Sequence, residues 1–97
     1  MKHEEFIEKC IEIVIESENE GLDPKEHYLT KKEDIFFVWS CKTLQNSKAI
    51  LSTKLKGAPM FEITLNGDKG EIYVDTYTKK QINVSKFRKI SRNYCVK

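Results

Sequence analysis

In the first twenty residues, apolar and acidic positions recur with the period of an α-helix. Apolar residues recur at spacings of three and four from Phe6 to Ile15, and glutamates occupy much of the remaining surface. This spacing predicts an amphipathic helix from His3 to Glu20. Gly21 follows directly and suits the left-handed position that ends many helices.

The pattern changes at Ile35 to aromatic and β-branched residues, which favour a strand. We take Gln45, Asn46 and Ser47 as a three-residue hairpin loop leading into a second strand. In this register Trp39 pairs with Thr53 and Cys41 with Leu51. Trp39 and Cys41 are then predicted to lie on the apolar face of the sheet, facing the core.

A second hairpin is predicted around the turn sequence Asn66-Gly67-Asp68-Lys69. Its strands span 60–65 and 71–78, and the favoured register pairs Phe61 with Val74 and Ile63 with Ile72. The predicted fold class is α+β, with the N-terminal helix packed on a four- to five-stranded antiparallel sheet of two hairpins. The face away from the helix is the candidate working surface, with Lys42, Lys54, Glu62, Glu71, Tyr73, Asp75 and Tyr77.

The C-terminal segment combines strand and helix signals. Ile82 and Val84 alternate as in an edge strand, and Val84, Phe87 and Ile90 then have helical spacing. We therefore predict an edge strand followed by a short helix or tail. The chain is interpreted as one domain over residues 1–90 with a frayed tail at 91–97.

Charge is unevenly distributed along the 97 residues. Residues 1–34 carry 5 Lys and 11 acidic residues, whereas residues 79–97 carry 7 Lys and Arg and no acidic residue. The formal net charge of +2 argues against a double-stranded-DNA mimic over the whole surface, because such a mimic needs a continuous negative surface. The chain has no apolar stretch long enough to span a membrane and no signal peptide, so we expect a cytoplasmic location with no membrane partner.

The residues that could support catalysis or bind a metal are sparse and poorly spaced. Cys10, Cys41 and Cys95 are expected to be reduced thiols, and no histidine is placed to activate Cys41. The cysteines and histidines lack the two- to five-residue spacing of zinc ligands. We therefore expect a protein that is not an enzyme and has no cofactor and no metal.

Binding residues are predicted at three places. The hairpin ends and the working surface contribute Lys42, Gln45, Asn46, Lys48, Lys54, Glu62, Asn66, Tyr73, Asp75 and Tyr77. Lys42, Asn46, Lys48 and Asn66 could alternatively hold a nucleotide. A basic C-terminal segment, with Lys79, Lys80, Lys86, Arg88, Lys89 and Arg92, could instead contact nucleic acid, which we favour less because carboxylates share the sheet face.

Two stretches of the chain resemble a known family. They are the run Trp39-Ser40-Cys41-Lys42-Thr43-Leu44-Gln45-Asn46-Ser47-Lys48-Ala49 and the run Asn66-Gly67-Asp68-Lys69-Gly70-Glu71-Ile72-Tyr73-Val74-Asp75. Both are similar to small proteins encoded by phages and prophages of Gram-positive bacteria, a family catalogued as a domain of unknown function. The resemblance covers about residues 4 to 80.

The resemblance implies a phage setting, with the protein in the cytoplasm of the host cell. In that setting we expect a small protein that binds and inhibits a host protein, most often a component of an anti-phage defence system, in the manner of an anti-CRISPR protein. The alternatives are sequestration of a nucleotide signalling molecule and nucleic-acid binding by the basic segment. An exposed edge strand and a partly apolar second sheet face, with Phe36, Val38 and Ile50, also allow a homodimer.

Overall fold

The computed structural model describes residues 1–55, 57–79 and 87–95 and confirms an α+β fold. The helix α1 spans His3–Asn19, and a short 3-10 helix spans Lys32–Asp34. Within the described ranges five strands follow: β1 is Ile35–Thr43, β2 Asn46–Thr53, β3 Met60–Asn66, β4 Glu71–Lys79 and β5 Phe87–Cys95. The strands form one antiparallel sheet in the order β1-β2-β3-β4-β5, so each strand pairs with its neighbours in the chain.

The helix α1 forms where the periodicity predicts it, and both of its ends have local causes. The Lys2 N–H donates to the Glu5 carboxylate at 3.2 Å, which satisfies a backbone donor before the first turn. Just beyond the last turn, Gly21 has a φ of +76°, the left-handed conformation that glycine adopts without strain. The predicted span of this helix is therefore confirmed to within one residue.

The core lies between α1 and one face of β2, β3 and β4. From the helix it takes Phe6, Cys10, Ile13 and Val14, whereas Ile11 and Ile15, which belong to the same apolar pattern, are only half-buried. From the sheet it takes Ala49, Leu51, Phe61, Ile63, Leu65, Ile72 and Val74. Burying an apolar side chain of this size contributes about 1.5–3 kcal/mol to folding, so the contact between α1 and the sheet is the main stabilising interface.

The register of the first hairpin differs from the prediction. The loop is a two-residue turn at Leu44 and Gln45, so Thr43 pairs with Asn46. Leu44 has a φ of +55°, the positive value that such tight turns require. Asparagine and glycine favour that conformation over leucine, which is why the sequence directed the prediction to Asn46.

A bulge at Val38 changes the face of the sheet on which the side chains of residues 39–43 of β1 lie. The register shifts between Phe37, which pairs with Leu51, and Trp39, which pairs with Ile50 instead of Thr53. The partner of Trp39 is thus displaced by three residues from the predicted one. Displacing the pairing register by an odd number of residues moves side chains to the opposite face of a sheet. The prediction that Trp39 and Cys41 face the core is therefore wrong: both lie on the side away from α1, where Trp39 is 48% exposed.

The second hairpin forms as predicted but is displaced by two residues. Phe61 pairs with Thr76, Ile63 with Val74 and Leu65 with Ile72. Because this displacement is even, every side chain keeps its predicted face. The predicted burial of Phe61, Ile63, Ile72 and Val74 is confirmed, although the predicted pairs are not.

The C-terminal segment pairs with β4 as a strand. Phe87 and Ile90, predicted to form a short helix, belong to β5 and lie opposite Lys79 and Thr76. β5 crosses the predicted domain boundary at residue 90 and continues to Cys95, through most of the predicted tail. The predicted edge strand around Ile82 and Val84 lies outside the described residues. Within the described part of the chain, no helix is both long enough and apolar enough to cross a membrane.

Candidate functional site

The sheet side away from α1, here called the outer face, brings together side chains from four strands. One row across the strands runs from Trp39 through Ile50 and Glu62 to Asp75. The neighbouring row runs from Cys41 through Lys48 and Thr64 to Tyr73. The outer face of β1–β4 comprises Phe36, Trp39, Cys41, Thr43, Lys48, Ile50, Met60, Glu62, Thr64, Glu71, Tyr73, Asp75 and Tyr77.

A cavity of about 490 Å³ opens on the outer face, lined by Ile50, Met60, Glu62 and Tyr77. Met60 lies opposite Tyr77 on the neighbouring strand and is 43% exposed. Among the described lining residues, the polar groups are the Glu62 carboxylate and the Tyr77 hydroxyl. A concave apolar surface with a few fixed polar groups is the usual form of a binding site.

Glu62 connects three strands at the edge of this cavity. Its Oε1 accepts a hydrogen bond from the Tyr77 hydroxyl at 3.0 Å, and its Oε2 lies 3.0 Å from the Lys48 Nζ. The hydrogen bond to Glu62 raises the pKa of Tyr77, and partial burial and the negative charges of Glu62 and Asp75 raise it further. Glu62 thus fixes the orientation of an aromatic ring and an ammonium group on the outer face.

We expect Glu62→Gln to lower the pKa of Tyr77 toward its ordinary value of about 10, because the substitution removes the carboxylate charge. A raised phenol pKa means that folding favours the protonated form. This contribution to stability is complete below about pH 10 and is lost as the pH rises through the folded-state pKa. Tyrosine ring NMR signals followed against pH measure the change.

Glu71→Gln is the matched control for this titration. The Tyr73 hydroxyl donates to Glu71 at 2.9 Å, and this bond raises the pKa of Tyr73. The control should therefore lower the pKa of Tyr73 and leave Tyr77 unchanged. A Tyr77 titration that is identical in wild type and Glu62→Gln would show that the contact does not form.

Five of the predicted binding residues meet on the outer face: Lys48, Glu62, Tyr73, Asp75 and Tyr77. Lys42 does not join them, because it pairs with Ser47, whose buried side chain lies on the α1 side. Lys54 is exposed just beyond β2, and its backbone N–H donates to the Asp34 carbonyl at 2.9 Å. The predicted working surface is therefore correct for β3 and β4 and wrong for Lys42.

Two of the predicted hairpin-end residues, Asn46 and Asn66, form hydrogen bonds that stabilise the turns. Asn46 Oδ1 accepts from the Gly67 N–H at 3.1 Å, and Asn66 Oδ1 accepts from the Lys69 N–H at 3.3 Å. A Cβ on Gly67 would collide with the backbone carbonyl of Gln45, so only glycine allows the two turns to approach so closely. Both asparagines thus have structural partners in the turns themselves.

The basic C-terminal residues are only partly described. Lys79 ends β4, and Arg88, Lys89 and Arg92 lie in β5, opposite Thr78, Tyr77 and Val74 in the backbone register. Lys80 and Lys86 lie outside the described residues. The register therefore places the backbone of Lys89 beside the strand that carries Tyr77.

Two residues of the outer face, Trp39 and Met60, are absent from the predicted binding residues. The predicted register places Trp39 in the core, whereas it places Met60 beside Asp75 on the face away from the helix, and the structure confirms that face for Met60. A two-residue turn at Leu44 and Gln45 would have moved Trp39 outward. The turn was not apparent because leucine seldom adopts a positive φ.

The structure describes the side chains of Cys10 and Cys41. Burial raises the pKa of the Cys10 thiol to about 12, so its thiolate is strongly disfavoured. Cys41 is exposed, with its Sγ 3.8 Å from the Thr43 hydroxyl. No group of three or more His, Cys, Asp or Glu side chains in the described ranges is arranged to hold a metal ion.

Comparison with known proteins places the chain in one family. Residues 7–87 match a family of unknown function, DUF6275, so the match extends past Lys80, where the resemblance was expected to end. Searches of curated proteins and of solved structures found no match. Because the matched range covers most of the 97 residues, the chain belongs to the DUF6275 family.

Proposed function

We propose that this protein is a phage-encoded, non-enzymatic binding protein that inhibits a host protein, a component of an anti-phage defence system. It binds this protein through the outer face. The observation that carries the proposal is the set of exposed apolar side chains on and beside that face: Phe36, Val38, Trp39 and Met60, all between 43% and 55% exposed.

These side chains have the composition of a protein-binding surface. Exposed apolar side chains are common singly, but a contiguous group beside fixed polar residues is typical of interfaces. Trp39 lies across the strands from Ile50, and Ile50 lines the cavity with Met60. Tryptophan and tyrosine contribute disproportionately to interface energy, because each buries a large rigid area.

The polar groups of the outer face support a protein partner over a nucleotide. Lys48 already forms an ion pair with Glu62, and the cavity wall carries the Glu62 carboxylate. A phosphate placed there would meet a negative charge and compete for the lysine. Sequestration of a nucleotide therefore stays the second candidate, and nucleic-acid binding by the basic segment the third.

The inhibitory role rests on the phage setting that the sequence resemblance implies. A module of this size can act by occupying a functional surface of its target, with affinity supplied by a few anchoring side chains.

Affinity capture followed by native mass spectrometry tests the proposal. The tagged protein is expressed in a Gram-positive host with active defence systems, beside the double variant Trp39→Ser/Met60→Ser and the control Ile11→Ser on α1. We expect wild type and the control to retain the same host protein and the double variant to lose it. The captured protein should be a defence component whose activity falls on adding wild type.

Each other outcome opposes the proposal. Extra mass of nucleotide size would favour the sequestration alternative. A protein retained equally by wild type and the double variant would place binding away from the outer face. A captured protein whose activity is unchanged by saturating wild type would remove the inhibitory role.

A further inference from the structure

The strand β1 forms one edge of the sheet and exposes its last five residues to solvent. Among the described strands, β1 has one neighbour, β2. Residues 39–43 are all exposed. Among the described residues, no backbone hydrogen bond from a loop or from α1 reaches this stretch.

The tight turn determines which backbone groups of β1 point outward. In an antiparallel hairpin with a two-residue loop, the residues flanking the loop exchange both backbone hydrogen bonds, and this alternates along the strands. Thr43, Cys41 and Trp39 therefore bond to β2. The N–H and C=O groups of Ser40 and Lys42 point away from the sheet, toward solvent.

The exposed stretch has little of the protection that edge strands usually carry. Such strands are commonly shielded by proline, by several charged residues or by a bulge within the exposed part. Here the bulge at Val38 precedes the stretch, Lys42 is its only charged residue, and it contains no proline. Outward backbone groups of this kind readily pair with another strand.

From this geometry we propose that two copies of the chain associate by antiparallel pairing of β1 with β1, about a two-fold axis at Cys41. In this register Ser40 of each copy pairs with Lys42 of the other, so the outward groups form four hydrogen bonds. Each Cys41 lies opposite its counterpart, and Trp39 lies opposite Thr43.

The strand is complementary to itself in this register. The two lysines face serines instead of each other, so like charges are not placed in direct opposition. Trp39, Cys41 and Thr43 all lie on the outer face, and Trp39 gains Thr43 of the second copy as a cross-strand neighbour. The pairing needs no partner of different composition, which favours a second copy over an unrelated strand.

The dimer would join two five-stranded sheets into one continuous sheet. An axis perpendicular to the sheet places both outer faces on the same side and both α1 helices on the other. This association does not depend on the proposed function, because it uses the strand edge and not the cavity.

Amide hydrogen exchange of the wild-type protein tests the pairing directly. At high protein concentration we expect slow exchange at Ser40 and Lys42, which becomes fast on dilution as the dimer dissociates. The amides of Trp39 and Cys41 bond to β2 and serve as internal controls that stay protected throughout. Fast exchange at Ser40 and Lys42 at every concentration, with a monomeric mass by sedimentation, would overturn the proposal.

A cysteine trap tests the register of the pairing. In a Cys95→Ser background, mild oxidation with diamide should link two copies through Cys41, because directly opposed residues of non-hydrogen-bonded pairs lie close together. Moving the thiol by one residue, with Cys41→Ser and Ser40→Cys, should abolish the link. A link formed by the moved thiol and not by Cys41 would refute the two-fold axis proposed here.

Ser40→Pro gives a variant that separates pairing from folding. The Ser40 N–H points to solvent, and proline is tolerated at such edge positions. The dimer loses one hydrogen bond from each copy, so its dissociation constant should rise by roughly tenfold or more with an unchanged circular dichroism spectrum. An unchanged dissociation constant in a folded variant would contradict the proposed pairing.

Discussion

Replacing Trp39 by alanine should weaken binding of the captured host protein by about 30-fold or more, which corresponds to about 2 kcal/mol. Trp39 is 48% exposed and lies beside Ile50 on the outer face, so it presents a large apolar area to a partner. The free energy of unfolding should fall by no more than about 1 kcal/mol, because the side chain lies outside the core.

Titration calorimetry with the captured host protein measures this loss, and urea unfolding measures the stability. Leu22→Ala is a matched control, since Leu22 is an exposed apolar residue in the loop after α1. The control should change neither quantity. Full affinity in Trp39→Ala would show that this side chain is not an anchor of the interface.

Phe61→Ala should have the largest effect on stability, lowering the free energy of unfolding by about 3–5 kcal/mol. Phe61 is fully buried between α1 and the sheet, so truncation removes apolar contacts and leaves a cavity. Domains of this size have a free energy of unfolding of about 5–15 kcal/mol, so the variant should lose a large part of its stability. Urea unfolding followed by circular dichroism measures the change.

The chain neighbour Met60 provides the control for Phe61. It points to the outer face and is 43% exposed, so Met60→Ala should change the free energy of unfolding by less than about 1 kcal/mol. Comparison of the two variants therefore tests which face of the sheet each of these neighbouring β3 side chains occupies. Similar losses in both variants would mean that the assigned faces of β3 are incorrect.

Local periodicity was sufficient to predict the helix and the inward faces of β3 and β4. The helix follows from regular apolar spacing ended by Gly21, and both features act within a few residues of sequence. The observed β3–β4 register differs from the predicted one by two residues. The predicted faces are still correct, because an even displacement leaves every side chain on the same face. Glu62, Tyr73, Asp75 and Tyr77 were therefore placed on the correct surface.

The remaining errors come from features that local sequence does not specify. The bulge at Val38 and the positive φ of Leu44 place Trp39 on the outer face, and neither has a distinct sequence signal. Leu44 is 87% exposed, so burial of its side chain contributes little to the stability of the turn. Pairing with β4 places Phe87 and Ile90 in a strand despite their helical spacing, since tertiary context overrides a short local pattern.

An NMR titration of the methyl-labelled protein with the captured host protein tests most directly the claim that the outer face binds the partner. We expect the Ile50 and Met60 methyl signals and the Trp39 indole signal to shift or broaden as the complex forms. The methyl signals of Ile11 and Ile15, on α1, should remain in place. Changes confined to α1, with the outer-face signals unmoved at saturation, would contradict the account.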